Sequence, residues 1–82
     1  MYNADYNVNE YRVEFNVTRS SYDAFTSKNE WTKGFGKTRE QAESWAKFMI
    51  CKSRDYVARD DKGEVIGPDY RRIEILGVTK TS

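Results

Sequence analysis

Histidine is absent from this 82-residue chain, and Cys51 is its only cysteine. Zinc sites are built mainly from cysteine and histidine side chains, so a zinc site of the usual kind is excluded. A serine or cysteine triad that depends on a histidine base is excluded for the same reason. A single cysteine also rules out an internal disulfide. Since no other acid or base stands out, we expect no enzymatic activity, no cofactor and no metal.

Long apolar runs and a large net charge are missing as well. No stretch approaches the roughly 20 apolar residues that a membrane helix requires, and no hydrophobic signal segment follows Met1. We therefore expect a cytoplasmic protein without a membrane partner. The net charge of +1 gives no overall attraction to nucleic acid, so such binding would need a local basic patch.

Aromatic residues, in contrast, are plentiful, with six Tyr, four Phe and two Trp. Each buried aromatic side chain removes about 150–250 Å² from water, which favours a folded core in so short a chain. The length allows one domain. We expect a flexible N-terminal arm over residues 1–9, a single α+β domain over residues 10–79 and a tail over residues 80–82.

Apolar and polar residues alternate from residue 10 to residue 18, which predicts a half-buried strand. The inward set is Tyr11, Val13, Phe15 and Val17, and the outward set is Arg12, Glu14, Asn16 and Thr18. Residues 30–35 alternate in the same way, with Trp31, Lys33 and Phe35 on one side. A weaker strand candidate over residues 22–27 leaves open whether two or three strands precede the helix.

A helix is predicted after the glycine-rich residues 34–38. Thr38 is a good N-cap, and Gln41 three positions later completes a capping-box pattern. The end of the helix is open, either near Ser53 or at Ala58. Its apolar face follows the helical period, with Trp45 in the core, Phe48 at the margin and Cys51 on the polar face. That face comprises Ala42, Trp45, Ala46, Met49, Ile50, Ser53, Tyr56 and Val57.

The last third of the chain reads as turns and strands. Residues 59–63 predict a turn with Gly63 at its positive-φ position, residues 64–66 a short strand, and residues 67–69 a second turn. Residues 70–78 predict a strand that lies centrally in the sheet, with Arg72, Glu74, Leu76 and Val78 on one side and Arg71, Ile73, Ile75 and Gly77 on the other.

The fold class is therefore α+β. A small antiparallel sheet of three to five strands packs on one helix, in the order β-β(-β)-α-β(-β). One face of the sheet stays uncovered and bears Arg12, Glu14 and Asn16.

Residues 34–38, Gly-Phe-Gly-Lys-Thr, suggest a phosphate site at a helix start. A complete P-loop would place a glycine at the position of Trp31, so a nucleotide site is not expected. Lys33, Lys37 and Arg39 leave a looser anion site open. The alternative is a tight strand-to-helix connection kept soluble by its lysines.

Three resemblances bear on function. The segment with Gly34, Gly36, Lys37, Thr38, Ala42 and Ala46 resembles the glycine turn and helix start of double-stranded RNA-binding domains. Thr38, Gln41 and Ala42 resemble the helix start of HicB-type antitoxins. The short chain of balanced charge, rich in tyrosine and asparagine, resembles small phage-encoded inhibitors of host enzymes and defence systems. This last resemblance implies direct binding to a larger protein.

The leading hypothesis is a non-enzymatic protein-binding module that inhibits a larger host protein by steric occlusion. A homo-oligomer remains open. The alternative is an RNA- or DNA-binding module with a basic patch near the helix N-terminus. Aromatic anchors would serve the first and basic residues the second. The candidate partner-binding residues are Trp31, Lys33, Lys37, Arg39, Phe48, Arg71 and Arg72.

Overall fold

The computed structural model describes residues 8–20, 24 and 26–81. Their elements are β1 (Asn9–Val17), β2 (Glu30–Gly36), α1 (Arg39–Arg54), β3 (Val57–Arg59), β4 (Val65–Pro68), a 3₁₀ turn (Tyr70–Arg72) and β5 (Ile73–Lys80). An antiparallel sheet has the strand order β2-β1-β5, and β3 and β4 form a separate hairpin. The predicted α+β class is confirmed, and so is the arrangement of strands before and after one helix, with two strands before it and three after it.

The core lies between α1 and one face of the three-stranded sheet. The inward residues of β1 are buried as their alternation predicted, and they pack against Ala42, Ala46 and Ile50 of α1. β1 pairs with a strand on each side and is therefore central, whereas the central position predicted for β5 is wrong. The outward residues Arg12, Glu14 and Asn16 lie on the uncovered face, as predicted.

Two glycines of β2 bring the first turns of α1 against the sheet. A Cβ atom on Gly34 would lie 2.8 Å from the Ala42 carbonyl oxygen, and one on Gly36 would lie 2.7 Å from the Ala42 nitrogen. Both distances are shorter than side chains tolerate, so the close approach requires glycine at these positions. The glycine-rich stretch is thus a packing surface between strand and helix.

The predicted helix cap is confirmed. The Thr38 hydroxyl oxygen accepts a hydrogen bond from the Gln41 backbone N–H at 3.1 Å. The Gln41 side-chain oxygen accepts one from the Lys37 backbone N–H at 2.8 Å, one residue earlier than in the usual capping box. The helix ends at Arg54, and Asp55 follows in the left-handed conformation with φ of 60°.

The predicted orientation of α1 is partly wrong. Cys51, expected on the polar face, is only 2% exposed, whereas Trp45 and Met49, expected in the apolar face, are 39% and 37% exposed. The start of β5 and the backbone of Asp69 cover the side of the helix that carries Cys51. Because this side is covered, the other flank of the helix faces outward. Helical periodicity contains no information about tertiary packing of this kind.

The C-terminal third also departs from the prediction. The turn at Gly63 is confirmed, with φ of 83° and an Asp60 carboxylate oxygen that accepts hydrogen bonds from two backbone N–H groups. Gly67 and Pro68, however, belong to β4 rather than to a turn. Arg71 and Arg72 lie in the 3₁₀ turn, so their placement on opposite faces of a strand is wrong.

A β-bulge explains why the predicted faces of β5 are wrong. Glu14 pairs with Gly77, whereas Phe15 pairs with Ile75, which leaves Leu76 as an extra residue. The extra residue lets Ile73 and Val78 both point inward although they are an odd number of residues apart. β5 also extends to Lys80, into the predicted tail.

The remaining predictions concern Thr18, the strand candidate over residues 22–27 and the N-terminal arm. Thr18, expected to point outward, is buried, because it follows the end of β1 and its N–H donates to the Arg72 carbonyl oxygen at 2.9 Å. The strand candidate over residues 22–27 lies mostly outside the described residues, and residues 26–27 are not in a strand. Most of the predicted arm, residues 1–7, also lies outside them.

Candidate functional site

An open groove of about 550 Å³ runs between β2 and α1. Its volume falls within the range of about 300–1,000 Å³ that is common for ligand sites. The strand contributes Trp31, Thr32 and Lys33, the helix contributes Trp45, Met49, Ser53 and Arg54, and Phe15 and Ile50 lie at the inner end. We call this feature the β2–α1 groove.

The β2–α1 groove lies along the free edge of β2. Consecutive residues of a strand point to opposite faces of a sheet. A cavity that contacts Trp31, Thr32 and Lys33 in succession therefore passes along the edge of the strand rather than lying on one face. β2 is terminal in the strand order, and no other described strand pairs with this edge.

The two ends of the β2–α1 groove are set by different contacts. Near Gly34 and Gly36 the helix touches the strand, which closes one end. At the other end Arg54 donates from both terminal nitrogens of its guanidinium group to the two carboxylate oxygens of Glu30. This hydrogen bonding holds the pKa of Glu30 below its ordinary value. The bidentate pair thus ties the start of β2 to the end of α1.

Aromatic side chains form the rim of the groove and are held in place by neighbours. The Trp45 ring meets the Phe35 ring edge-on, with 5.1 Å between the ring centroids. Trp31 is 53% exposed, and the Arg12 guanidinium lies 4.4 Å from its ring centroid. Such contacts are attractive and fix the orientation of each ring. The rim is therefore both apolar and largely preorganised.

Phe48 extends this apolar rim along the helix. It is 47% exposed and lies one helical turn after Trp45. It does not line the groove, yet with Met49 it continues the exposed surface of Trp45. The aromatic residues predicted as anchors, Trp31 and Phe48, are thus both exposed on this side of the molecule.

The charges around the groove are mainly positive. Lys33 lines it, its side chain is 59% exposed, and its amino group lies 3.9 Å from a Glu10 carboxylate oxygen. Lys52 is exposed and lies two helical turns after Trp45, on the same side of α1. The Glu30 carboxylate is paired with Arg54, as Lys33 is with Glu10. The three cations exceed the two carboxylates by one charge, and this small excess favours an acidic ligand.

The acidic residues of α1 are Glu40 and Glu43. By the helical period, Glu40 and Glu43 lie roughly on the opposite side of the helix from Trp45. Glu43 is paired there with Lys47, with 3.3 Å between oxygen and nitrogen. The charge of Glu43 is therefore balanced within α1.

The predicted basic residues do not form one patch. Lys37 and Arg39 lie at the start of α1, next to the end of β2 that pairs with Asn9. The 3₁₀ turn with Arg71 and Arg72 precedes Ile73, which pairs with Val17 at the other end of β1. The eight residue steps between these ends span roughly 26 Å at about 3.3 Å per residue.

Arg71 and Arg72 also have structural partners. The Arg72 guanidinium stacks 3.7 Å from the Tyr56 ring centroid and donates to the Thr18 carbonyl oxygen at 2.8 and 3.1 Å. Arg71 lies 3.5 Å from an Asp69 carboxylate oxygen. Arg72 therefore fixes the 3₁₀ turn to the end of β1 and is poorly placed to contact a partner.

The sequence-based site prediction misses all the lining residues that α1 contributes, namely Trp45, Met49, Ile50, Ser53 and Arg54. Helical spacing places the first four in a core-facing stripe and Arg54 on the polar face, and the sequence signal for an exposed flank is weak. The buried face needs small residues where the helix touches Gly34 and Gly36, and Ala42 and Ala46 satisfy that need. In the sequence, the match of two alanines on the helix with two glycines on the strand is the signal that Trp45 lies beside the contact between α1 and β2.

Other kinds of site find little support. Among the described residues no group of three or more His, Cys, Asp or Glu side chains is arranged to hold a metal ion. In the same part of the chain, no helix is long and apolar enough to cross a membrane. Comparisons of the chain with protein-family models, with curated proteins and with solved structures gave no match in any of the three.

Proposed function

We propose that this chain is a non-enzymatic protein-binding module that uses the β2–α1 groove and its aromatic rim as the contact surface. The observation that carries the proposal is the grouping of exposed Trp31, Trp45 and Met49 around one groove, with exposed Phe48 next to Trp45 on α1. Exposed apolar side chains that cluster beside a cleft are typical of interaction sites. Tryptophan is also among the residues most enriched at binding hot spots.

The fixed orientation of the rim favours tight binding. A side chain that is immobilised on association costs about 0.5–1.5 kcal/mol of conformational entropy. Phe35 already restricts the Trp45 ring, and Arg12 restricts the Trp31 ring. Much of the conformational entropy of these side chains is therefore lost before a partner binds. Each ring could therefore contribute at least about 2 kcal/mol when it is buried against a partner.

The proposal includes steric inhibition of a larger cytoplasmic protein. A bound module of 9.6 kDa would cover a surface that the larger protein needs for its own activity. The chain's composition supports this part through its resemblance to phage-encoded inhibitors of host enzymes and defence systems. The separation of Lys37 and Arg39 from Arg71 and Arg72 gives the nucleic-acid alternative less support.

The test is affinity capture with quantified proteins, followed by reconstitution with the purified partner. The tagged chain and a Trp45→Ser, Met49→Ser double variant are compared in lysate from the source cells. Burial of two anchors predicts that a true partner is depleted at least about tenfold by the double variant.

A matched control keeps the result specific to the groove. Ile66 is 68% exposed on the β3–β4 hairpin and does not line the groove, so Ile66→Ser should capture the partner as well as the wild type. Thermal unfolding shows that each variant is folded. Equal capture by all three proteins would contradict the proposal.

A further inference from the structure

We infer that the β2–α1 groove binds an extended peptide segment with acidic residues, which pairs with the free edge of β2 as a fourth strand of the sheet. This inference rests on the proposed function and specifies the partner's chemistry. Its basis is the course of the groove, which follows the strand edge past Trp31, Thr32 and Lys33. Strand addition of this kind derives affinity from backbone hydrogen bonds and specificity from pockets for alternate side chains.

β2 has the properties of an edge that can accept a strand. It contains seven residues and no proline, and its pairing with β1 continues without a register shift from Asn9–Gly36 to Phe15–Glu30. Proteins usually block such edges with bulges, proline, short strands or charged side chains, lysine in particular. β2 has only the last of these within its central part, namely Lys33, whose charge opposes pairing with a second lysine-bearing edge and not with an acidic strand. The edge is thus open to a partner and carries a positive charge.

The other described strand edges are interrupted. β5 has the bulge at Leu76, β3 has only three residues, and β4 ends with Pro68. Each of these features discourages pairing with another strand. The contrast singles out β2 as the edge that combines regular geometry with an adjacent groove.

The groove specifies what the side chains of the added strand contact. Alternate side chains would point toward α1 and pack against Trp45 and Met49, above Phe15 and Ile50. The intervening side chains would lie beside Lys33 and Trp31 on the open face of the sheet. The ligand is therefore an extended segment of about six or seven residues, with apolar residues at alternate positions, to match the length of β2.

The charge around the groove selects acidic residues in this segment. Lys33 lines the groove, with its amino group 3.9 Å from a Glu10 carboxylate oxygen. Lys52 is exposed on the side of α1 that carries Trp45, while the Glu30 carboxylate is already bound by Arg54. Aspartate or glutamate at the positions between the apolar residues, or just outside them, would complement these lysines.

The experiment uses a displayed library of random peptides of 12 residues, selected against the immobilised full chain. The inference predicts a consensus with apolar residues at alternate positions and Asp or Glu among the others. The best peptide is then synthesised with a single N-methyl group at each backbone position in turn. Loss of one backbone hydrogen bond should weaken binding about tenfold at every second position and little at the positions between.

Two charge variants test the role of Lys33. Lys33→Glu should weaken the selected peptide about fivefold or more, because it replaces an attraction with a repulsion. Lys62→Glu makes the same charge change in the β3–β4 turn, away from the groove, and should have little effect. Equal effects of the two variants would contradict acidic recognition at the groove.

The remaining outcomes separate this inference from the proposed function. A selected peptide whose binding shows no alternation with N-methylation overturns strand addition. If a partner is captured through Trp45 and Met49 but no peptide is selected, the inference fails and the proposed function stands. If neither a partner nor a peptide is found, both proposals are overturned. Two further outcomes would overturn the inference because they would show that the chain itself occupies the groove. One is a higher affinity for the peptide after Tyr2→Ser and Tyr6→Ser. The other is self-association of the chain that the Trp45→Ser, Met49→Ser variant abolishes.

Discussion

Cys51 shows how far the setting of one residue can differ from its place in a periodic pattern. It is 2% exposed, and its Sγ atom lies 3.8 Å from the Asp69 carbonyl oxygen. Removal of the thiol from water disfavours the charged form and raises the pKa of Cys51, an effect that the carboxylate of Asp69 reinforces. The thiolate is the reactive form of cysteine, so both access and ionisation are suppressed.

We predict that Cys51 of the folded chain reacts slowly with a disulfide reagent such as Ellman's reagent. At about pH 8 the rate should be at least about 100-fold below that of a cysteine in a short peptide, because modification requires local opening. The same chain in concentrated guanidinium chloride is the control and should react at the peptide's rate. Rapid, complete modification of the folded chain would place Cys51 on the polar face of the helix after all.

At the scale of elements, the contact between β2 and α1 determines where the groove lies. Gly34 and Gly36 let the helix start touch the strand, and the larger residues that follow on α1 stand away from it. The same two glycines therefore seat the helix and leave the groove beside Trp31. A side chain at either position would push α1 away from the sheet.

Gly34→Ala should destabilise the fold by about 1–3 kcal/mol, the usual cost of overpacking a core. The added methyl group would lie 2.9 Å from Val13 Cγ2 as well as close to the Ala42 carbonyl oxygen. Gly77→Ala is the matched control, because its Cβ would meet only Glu14 Oε1, at 3.6 Å. Urea unfolding of both variants measures the difference, and similar losses of stability would contradict this account of the contact.

The elements that sequence reasoning placed well are those fixed by local interactions. The alternation in β1 and β2 and the cap at Thr38 each involve neighbours in sequence, and all three are found in the structure. The inner face of β5 depends on a bulge that arises from its pairing with β1, and periodicity alone contains no such information.

The groove could not be predicted for a related reason. It depends on how far α1 turns once the 3₁₀ turn and β5 cover Cys51, and on which strand is left at the edge of the sheet. Trp31 and Phe48 were recognised as possible anchors from their residue type. Trp45 was assigned to the core because its helical spacing matches that of the buried residues.

On the scale of the whole molecule, the Glu30–Arg54 pair joins the edge strand to the end of the only described helix of the sheet domain. The pair is bidentate, and each side chain keeps 35% of its surface exposed. Solvent screens such pairs, so we expect a contribution of about 0.5–1 kcal/mol, toward the upper end for exposed ion pairs because the geometry is good. The pair also determines the width of the groove at its open end.

The lowered pKa of Glu30 gives this contribution a definite pH dependence. An acid whose pKa is lower in the folded than in the unfolded chain stabilises the fold above the unfolded pKa, and the effect is lost as the pH falls through the folded pKa. Glu30→Gln should therefore cost stability at about pH 7, and its difference from the wild type should vanish between about pH 5 and pH 3. Urea unfolding across this range measures the stability of the variant and of the wild type.

Glu43→Gln is the control, because it removes only a single contact within α1 and should cost less at about pH 7, at most about 0.5 kcal/mol. A Glu30→Gln difference that persists unchanged at low pH would show that the pair does not join strand to helix as an ion pair.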